Sequence, residues 1–310
     1  MHRIYFSKMG VKGLYTYLKS YRRDLSHDMI AASKKLRIGV DALSLMYKYK
    51  TETKEALDLL KSLRAAGHTV ILIFDGKAPE EKQEEVKQRR ELRNSAAQQA
   101  QDLKQFLDKA EAKALDKRAL QMLEFSAARL EFQGWQLTRE IRHAFQRELW
   151  DADLPYVKAI GEADTLLMML AKEGKLDCIV STDMDYLLGT IPRLWIPVRR
   201  GLISFEEIIM EDVLKGENMT VGAFRDSCIL CGVEQLRGVT FPAHKAFTWM
   251  RYYGSVEALL QGSADTGELA SVPIEKLKAV RESFESPAKT WQSIVKVEHL
   301  EKRKEFLEQL

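Results

Sequence analysis

"LRIGVDALSLMYKYKTETKEALDLLKSLRAAGHTVILIFDG", residues 36–76, decides the fold class. Its two ends, LRIGVDAL (36–43) and HTVILIFDG (68–76), are short aliphatic or β-branched runs that close on an acid, as buried parallel strands do. Between them EALDLLKSLRAAG (55–67) sets apolar residues at helical spacing and halts at Gly67. Strand, helix and strand make a βαβ unit. Asp41 and Asp75 then stand near the carboxyl ends of their strands, the edge at which open α/β sheets bind ligands.

The pattern continues beyond this unit after an interruption. From about 80 to 150 the chain reads as helical, charged and Gln/Ala-rich, and NSAAQQAQDLKQFLDKAEAKALDKRALQMLEF (94–125) has little strong apolar face. Such a segment suits a projecting element better than a core. Then LPYVKAI (154–160) reads as a strand, GEADTLLMMLAKEG (161–174) as a helix opening with acids, and LDCIVSTDMD (176–185) as a strand running into two acids. RLWIPV (193–198) and GLISF (201–205) suit a hairpin before a mostly helical remainder.

At 310 residues and 45% hydrophobic, the chain can bury a substantial core. No apolar run approaches the roughly 18 residues of a membrane span, and MHRIYFSK (1–8) has no signal-peptide character. An intracellular protein is expected. Cys178, Cys228 and Cys231 are too few for a disulfide scaffold, and SCILCGV (227–233) is apolar enough to make Cys228 and Cys231 core residues. A net charge of +3 does not by itself announce a nucleic-acid partner.

The acids are more informative. Asp41, Asp75, Glu162, Asp164, Asp183 and Asp185 all fall at strand ends or at a helix start just after a strand. Singly, each has an ordinary explanation: Glu162 and Asp164 favour a helix N-terminus, and Asp183 can cap one. Six on one sheet edge would repel one another strongly without cations. Oxygen-only ligands point to Mg²⁺ or Mn²⁺ rather than Zn²⁺. Two such ions about 4 Å apart suit phosphodiester hydrolysis.

MGVKGLYTYL (9–18), VDALSLMY (40–47), FDGKAPEEKQEEVKQRR (74–90), GEAD (161–164) and STDMDYLL (181–188) resemble, in order and spacing, the flap endonuclease family of structure-specific 5′ nucleases. The resemblance runs from Met9 to about Leu260. It implies an α/β fold with a PIN-like, mostly parallel central sheet flanked by helices, a helical arch at about 80–150, and a helical DNA-binding module over 231–310. Residues 9–230 would form the nuclease domain, arch included, with 1–8 as an extension. The six acids match the family's metal-site carboxylates, with Asp164 standing where glutamate is usual, and two Mg²⁺ ions are implied, Mn²⁺ able to substitute. Lys82 and Arg89 match the basic pair on the scissile phosphate, and Tyr47 an aromatic on which a base stacks; Arg118, farther along the arch, is expected to bind the flap. Glu234 stands at the seventh acid. Branched or 5′-ended DNA is the implied partner, in replication or repair, for a monomer that is nuclear in a eukaryote.

The chain departs from the family at the DNA-binding hairpin. Gly238 is kept, but Thr240 and Phe241 replace the second glycine, with Lys245 and His244 on the helix expected from Pro242. The change bears on the duplex grip and on the K⁺ that the family often holds there. No sliding-clamp motif occurs in these residues. A catalytically inactive nuclease-like scaffold is the main alternative, favoured by Glu234 and the altered hairpin and opposed by the six acids. A haloacid-dehalogenase-type phosphatase needs an Asp pair after the first strand, and Asp41 is followed by ALS.

Overall fold

The computed structural model describes residues 10–50, 52–77, 83–109, 115–198, 204–236, 238–262, 272–285 and 295. The chain divides into two compact units, Met1–Gly76 with Glu148–Leu310, and Lys77–Arg147.

The first unit opens with α1 (Leu14–Tyr17), β1 (Arg23–Ser26), α2 (His27–Ala32), β2 (Arg37–Asp41), α3 (Ala42–Tyr49), α4 (Thr53–Ala65) and β3 (Thr69–Phe74). The second holds α5 (Gln83–Leu107) and α6 (Lys117–Gly134), and the boundary falls within α7 (Arg139–Asp151). The first then resumes with β4 (Tyr156–Lys158), α8 (Ala163–Lys172), β5 (Cys178–Val180), β6 (Arg193–Pro197), β7 (Ser204–Ile209) and α9 (Met210–Glu217). Among the described residues α10 (Val221–Gly232), α11 (Ala243–Tyr253), α12 (Val256–Gly262) and α13 (Ile274–Glu285) follow.

Among the described residues one sheet forms, in the order β1-β7-β6-β5-β2-β3-β4. Strands β6, β5, β2, β3 and β4 are parallel to one another, and β7 and β1 close one side antiparallel. This is the mostly parallel α/β sheet expected from the βαβ unit. Its middle is buried on both faces: Val70 to Phe74 of β3 are each at most 1% exposed, which is why that run shows no alternation. Gly39 of β2 has a packing reason, since a Cβ there would lie 2.5 Å from Leu167 of α8 and 2.6 Å from Leu176.

The expected hairpin is β6 with β7, where Trp195 Nε1 donates to Glu207 Oε1 at 3.0 Å. Outside it lies a strand that the sequence does not reveal. β1, RDLS, has one apolar residue and is mostly exposed. It is held by polar anchors instead, with Tyr15 and Arg22 both donating to Glu206 Oε2 at 2.6 Å.

Cys228 and Cys231 lie fully buried in α10, where burial pushes both thiols up. They are core residues, as expected. Asp226, also buried on α10, accepts from both Nε and Nη2 of Arg281 at 2.9 and 2.8 Å and caps α12 through the Val256 N–H. That network ties α13 and α12 to α10.

In the second unit α5 and α6 run antiparallel, with Lys104 paired to Glu131 at 2.7 Å and Gln136 donating to Asn94. A Cβ on Gly134 would lie 2.6 Å from the Ala97 nitrogen, and Ala100 and Ala127 are buried. The alanine-rich composition is therefore itself the packing face: small side chains let the helix backbones approach, with no stripe of large apolar residues.

Candidate active site

Four neighbouring parallel strands, β5-β2-β3-β4, bring the acids to one edge. Asp41 ends β2, Asp75 follows β3, Glu162 is the N-cap of α8 after β4 with Asp164 in its first turn, and Asp183 and Asp185 lie in the turn after β5. Chain direction reverses its lateral progress at β2, from which β3 and β4 lie to one side and β5 and β6 to the other. That is the switch point where open sheets leave a crevice.

Close backbone contacts lock these ends together. Gly76 N–H donates to Gly161 O at 2.6 Å, and a Cβ on Gly76 would lie 2.1 Å from Ile160 O. Only glycine permits that approach, which fixes the end of β3 against the segment carrying Glu162. The Asp75 carboxylate accepts from the Ala163 N–H at 2.6 Å and so caps α8. On the other side Ser44 Oγ meets Thr182 Oγ1 at 2.8 Å and accepts from the Thr182 N–H at 2.8 Å.

Asp41 is the hub. Its Oδ1 accepts from Ser44 N–H at 2.9 Å, while its Oδ2 accepts from Ser181 Oγ and Tyr186 OH, both at 3.1 Å. Asp183 Oδ1 accepts from the Asp185 N–H at 3.0 Å. Asp164 Oδ1 bonds to the N–H and hydroxyl of Thr165. Burial first, then the charges of Asp75 and Asp183, push Asp41 up to about 7 against the pull of its hydrogen bonds.

The sign of the resulting pH effect follows from linkage. Unfolded, Asp41 titrates near ~4; folded, it keeps its proton to about 7. Between those values the folded chain binds more protons, so stability falls as pH rises. Cation-free Asp41→Asn protein is therefore expected to melt a few degrees above the unsubstituted chain at about pH 8 and close to it near pH 4. Thermal melts in chelator check this, and an equal difference at both pH values contradicts it.

Gly10, the first glycine of MGVKGL, is a site residue. At φ +80°, it lies so close to the paired acids that a Cβ would stand 2.4 Å from Asp183 Oδ1 and 3.1 Å from Asp185 Oδ1. Ser44, Ser181 and Tyr186 were missed, because a hydroxyl that orients a carboxylate carries no spacing signal. Gly10, through MGVKGL, had at least a motif around it.

Tyr47 is half-buried on α3, the helix Asp41 caps. Arg89 is half-buried on α5 and Arg118 exposed at the start of α6, both in the second unit; Lys82 lies outside the described residues. Glu234 is half-buried two residues past α10. Next to it, Gly232 O accepts from the Lys12 N–H at 3.1 Å, so the Gly10 loop also reaches this turn. In the α10–α11 loop Gly238 adopts φ +90°, and Thr240 Oγ1 accepts from Lys12 Nζ at 3.0 Å. Phe241 donates its N–H to Leu230 O and stacks edge-on against Trp249 at 5.2 Å. Lys245 Nζ sits 4.8 Å over the Trp249 ring. The helix expected from Pro242 begins at Ala243, with Pro242 as its N-cap.

Among the described residues no three His, Cys, Asp or Glu side chains are drawn close enough together to grip an ion as they stand. Several of the acids instead hold backbone N–H groups, as charges spread by mutual repulsion do. In type the set fits a hard divalent cation, being all carboxylate oxygen, with Asp41 in the field of both Asp75 and Asp183. Among the described residues no helix is long and apolar enough to cross a membrane.

The XPG I-region family model matches residues 153–234, the stretch from β4 to Glu234. Flap endonuclease 1 of Brugia malayi is 27% identical over 249 residues, 73% of this chain and 61% of that protein. Flap endonuclease 1-B of Physcomitrium patens is 30% identical over 203 residues, 63% of this chain and 53% of that protein. The chain thus spans less than two thirds of the length of either. Among solved structures, the catalytic core of Rad2 in complex with DNA substrate matches with a TM-score of 0.56 at 17% identity, over 90% of this chain and 82% of that one. Flap endonuclease-1 from Methanococcus jannaschii matches with a TM-score of 0.52 at 18% identity, over 94% and 91%. These two likenesses concern the fold.

Proposed function

Because the chain belongs to the flap endonuclease and XPG family, we propose that it is a divalent-cation-dependent 5′ nuclease, hydrolysing phosphodiester bonds at DNA 5′ flaps and 5′ ends in replication or repair. One observation carries this reading: four adjoining parallel strands deliver Asp41, Asp75, Glu162, Asp164, Asp183 and Asp185 to a single sheet edge. Those six side chains would hold two Mg²⁺ ions, or Mn²⁺ in their place, with Glu234 as a seventh ligand. When bound, such ions supply Lewis acidity and neutralise charge on a phosphodiester in hydrolysis.

The chain's own residues do the rest. Ser44 N–H, Ser181 and Tyr186 orient Asp41, and Gly10 presses its backbone against Asp183. Lys82 and Arg89 keep the role their motif match assigns, stabilising charge that develops on phosphate oxygens. Tyr47 offers a stacking face to an unpaired base without sequence preference. Arg118 serves the flap, and Gly238, Thr240 and Lys245 serve duplex phosphates. Residues 9–230 act as the nuclease domain and 231–310 as the DNA-binding module, in a monomer; a eukaryotic host would place it in the nucleus.

Incubation of the purified protein with a labelled 5′-flap duplex, a blunt duplex and a phosphomonoester, with and without Mg²⁺, tests the reading. Mg²⁺-dependent cutting of the flap is expected, with the phosphomonoester untouched. DNA binding without cleavage under any divalent cation would leave the inactive scaffold.

A further inference from the structure

The acid pair 183 and 185 sits on a 3₁₀ turn, Met184–Leu187, and the chain must then double back through Leu188–Thr190 to enter β6. Thr190 does so at φ +60°. For a β-branched residue that conformation is strained and persists only where its surroundings impose it.

Arg225 of α10 imposes it. Nε donates to Leu188 O at 2.9 Å and Nη2 to Thr190 Oγ1 at 3.1 Å, so one planar fork grips both ends of the return. Between those ends, Gly189 is pressed against α8: a Cβ there would lie 2.3 Å from Met168 Sδ. The turn is clamped from two helices. Arg225 is 4% exposed on a helix whose neighbours Phe224, Cys228 and Ile229 are buried apolar residues. A guanidinium in such a place costs several kcal/mol of desolvation, and an aliphatic side chain would fill the same volume without that cost. Its charge acts in the same neighbourhood as Asp185, since both influence the Cys228 thiol, in opposite senses.

We propose that Arg225 is a positioning residue for the acid pair: it fixes the Leu188–Thr190 return, so that Asp183 and Asp185 are preset to receive a divalent cation. The proposal rests on the cation-binding reading above. Loss of a side chain that orients ligands typically weakens metal affinity or activity roughly 10- to 100-fold.

The full chain is compared as Arg225→Met, Arg225→Lys and Thr190→Val. Mn²⁺ binding is followed by electron paramagnetic resonance of the free ion, a readout independent of cleavage, alongside single-turnover cutting of a 5′ flap across Mg²⁺ concentrations, DNA affinity in chelator, and melting temperature. Arg225→Met is expected to bind Mn²⁺ at least about 10-fold more weakly, to need correspondingly more Mg²⁺, and to keep its DNA affinity. Arg225→Lys restores the charge but not the fork and falls between. Thr190→Val keeps the guanidinium and loses one acceptor, so it shifts Mn²⁺ affinity the same way by less.

A folded Arg225→Met protein with a lowered melting temperature but unchanged Mn²⁺ affinity and Mg²⁺ requirement makes Arg225 merely structural and overturns the proposal. Where Arg225→Met does not fold, unchanged Mn²⁺ affinity in both Arg225→Lys and Thr190→Val overturns it instead. An unsubstituted chain that neither binds Mn²⁺ nor cuts DNA fails the cation reading itself, which keeps the two failures apart.

Discussion

Replacing Asp183 or Asp75 by alanine is expected to abolish cleavage of a 5′-flap duplex, a loss of at least ~10³-fold in single-turnover rate, while DNA affinity changes little. The expectation separates two sources of binding energy. Duplex affinity comes from many phosphate contacts, whereas each of these carboxylates is a proposed ligand of the cation. Both acids also cap local structure, Asp75 on α8 and Asp183 on the 3₁₀ turn, so alanine removes a cap worth about 1 kcal/mol as well. Asp75→Asn and Asp183→Asn keep an acceptor oxygen and isolate the charge. If the asparagine variants lose cleavage as the alanine variants do, charge and not capping is responsible. Appreciable Mg²⁺-dependent cutting by both alanine variants would remove Asp75 and Asp183 from the cation site.

Gly10→Ala is the second large effect. An alanine there adopts φ +80°, strained by about 1–2 kcal/mol, and its Cβ would overlap Asp183 Oδ1 at 2.4 Å. The carboxylate must move, and a displacement of about 1 Å at a reacting centre is worth roughly 10²-fold in rate. Gly13→Ala supplies the control. Gly13 has nearly the same conformation, φ +72°, but a Cβ there meets nothing closer than Ala243 at 3.9 Å. Both variants pay the backbone strain, and only Gly10→Ala is expected to lose cleavage, with DNA affinity retained in each. Equal losses in the two would trace the effect to strain in the 10–13 loop and not to Asp183.

The difference between those glycines marks the limit of what the sequence discloses. β2, β3 and β5 were legible because a strand buried on both faces reads as an uninterrupted aliphatic run, and an acid placed straight after one stands out. β1 was not, because an edge strand held by Glu206 and Glu207 needs no apolar pattern. The six strand-end acids were legible as residue types at strand termini. Their hydrogen-bond partners were not, since Ser44, Ser181 and Tyr186 look like any helix or loop residues until the sheet order brings β2 beside β5. Arg225 was hidden for the same reason: a basic residue in an apolar helix is legible as an anomaly only once its burial is known. Tyr47, Lys82 and Arg89 were nominated by motif, Arg118 by its place along the arch and Lys245 by its place on the helix after the altered hairpin.

The span of chain between partners at the hub also sets when the site can exist. Asp41 meets its hydroxyl donors 140 and 145 positions further along, across the whole of the Lys77–Arg147 unit. During synthesis β2 and β3 leave the ribosome long before β5, and local helices such as α5 and α6 can form in the interval, since local contacts form first. The carboxylates stay dispersed and hydrated until the turn at Asp183–Tyr186 emerges and closes against β2. A chain that ends before Tyr186 therefore lacks the turn that completes the acid edge against Asp41.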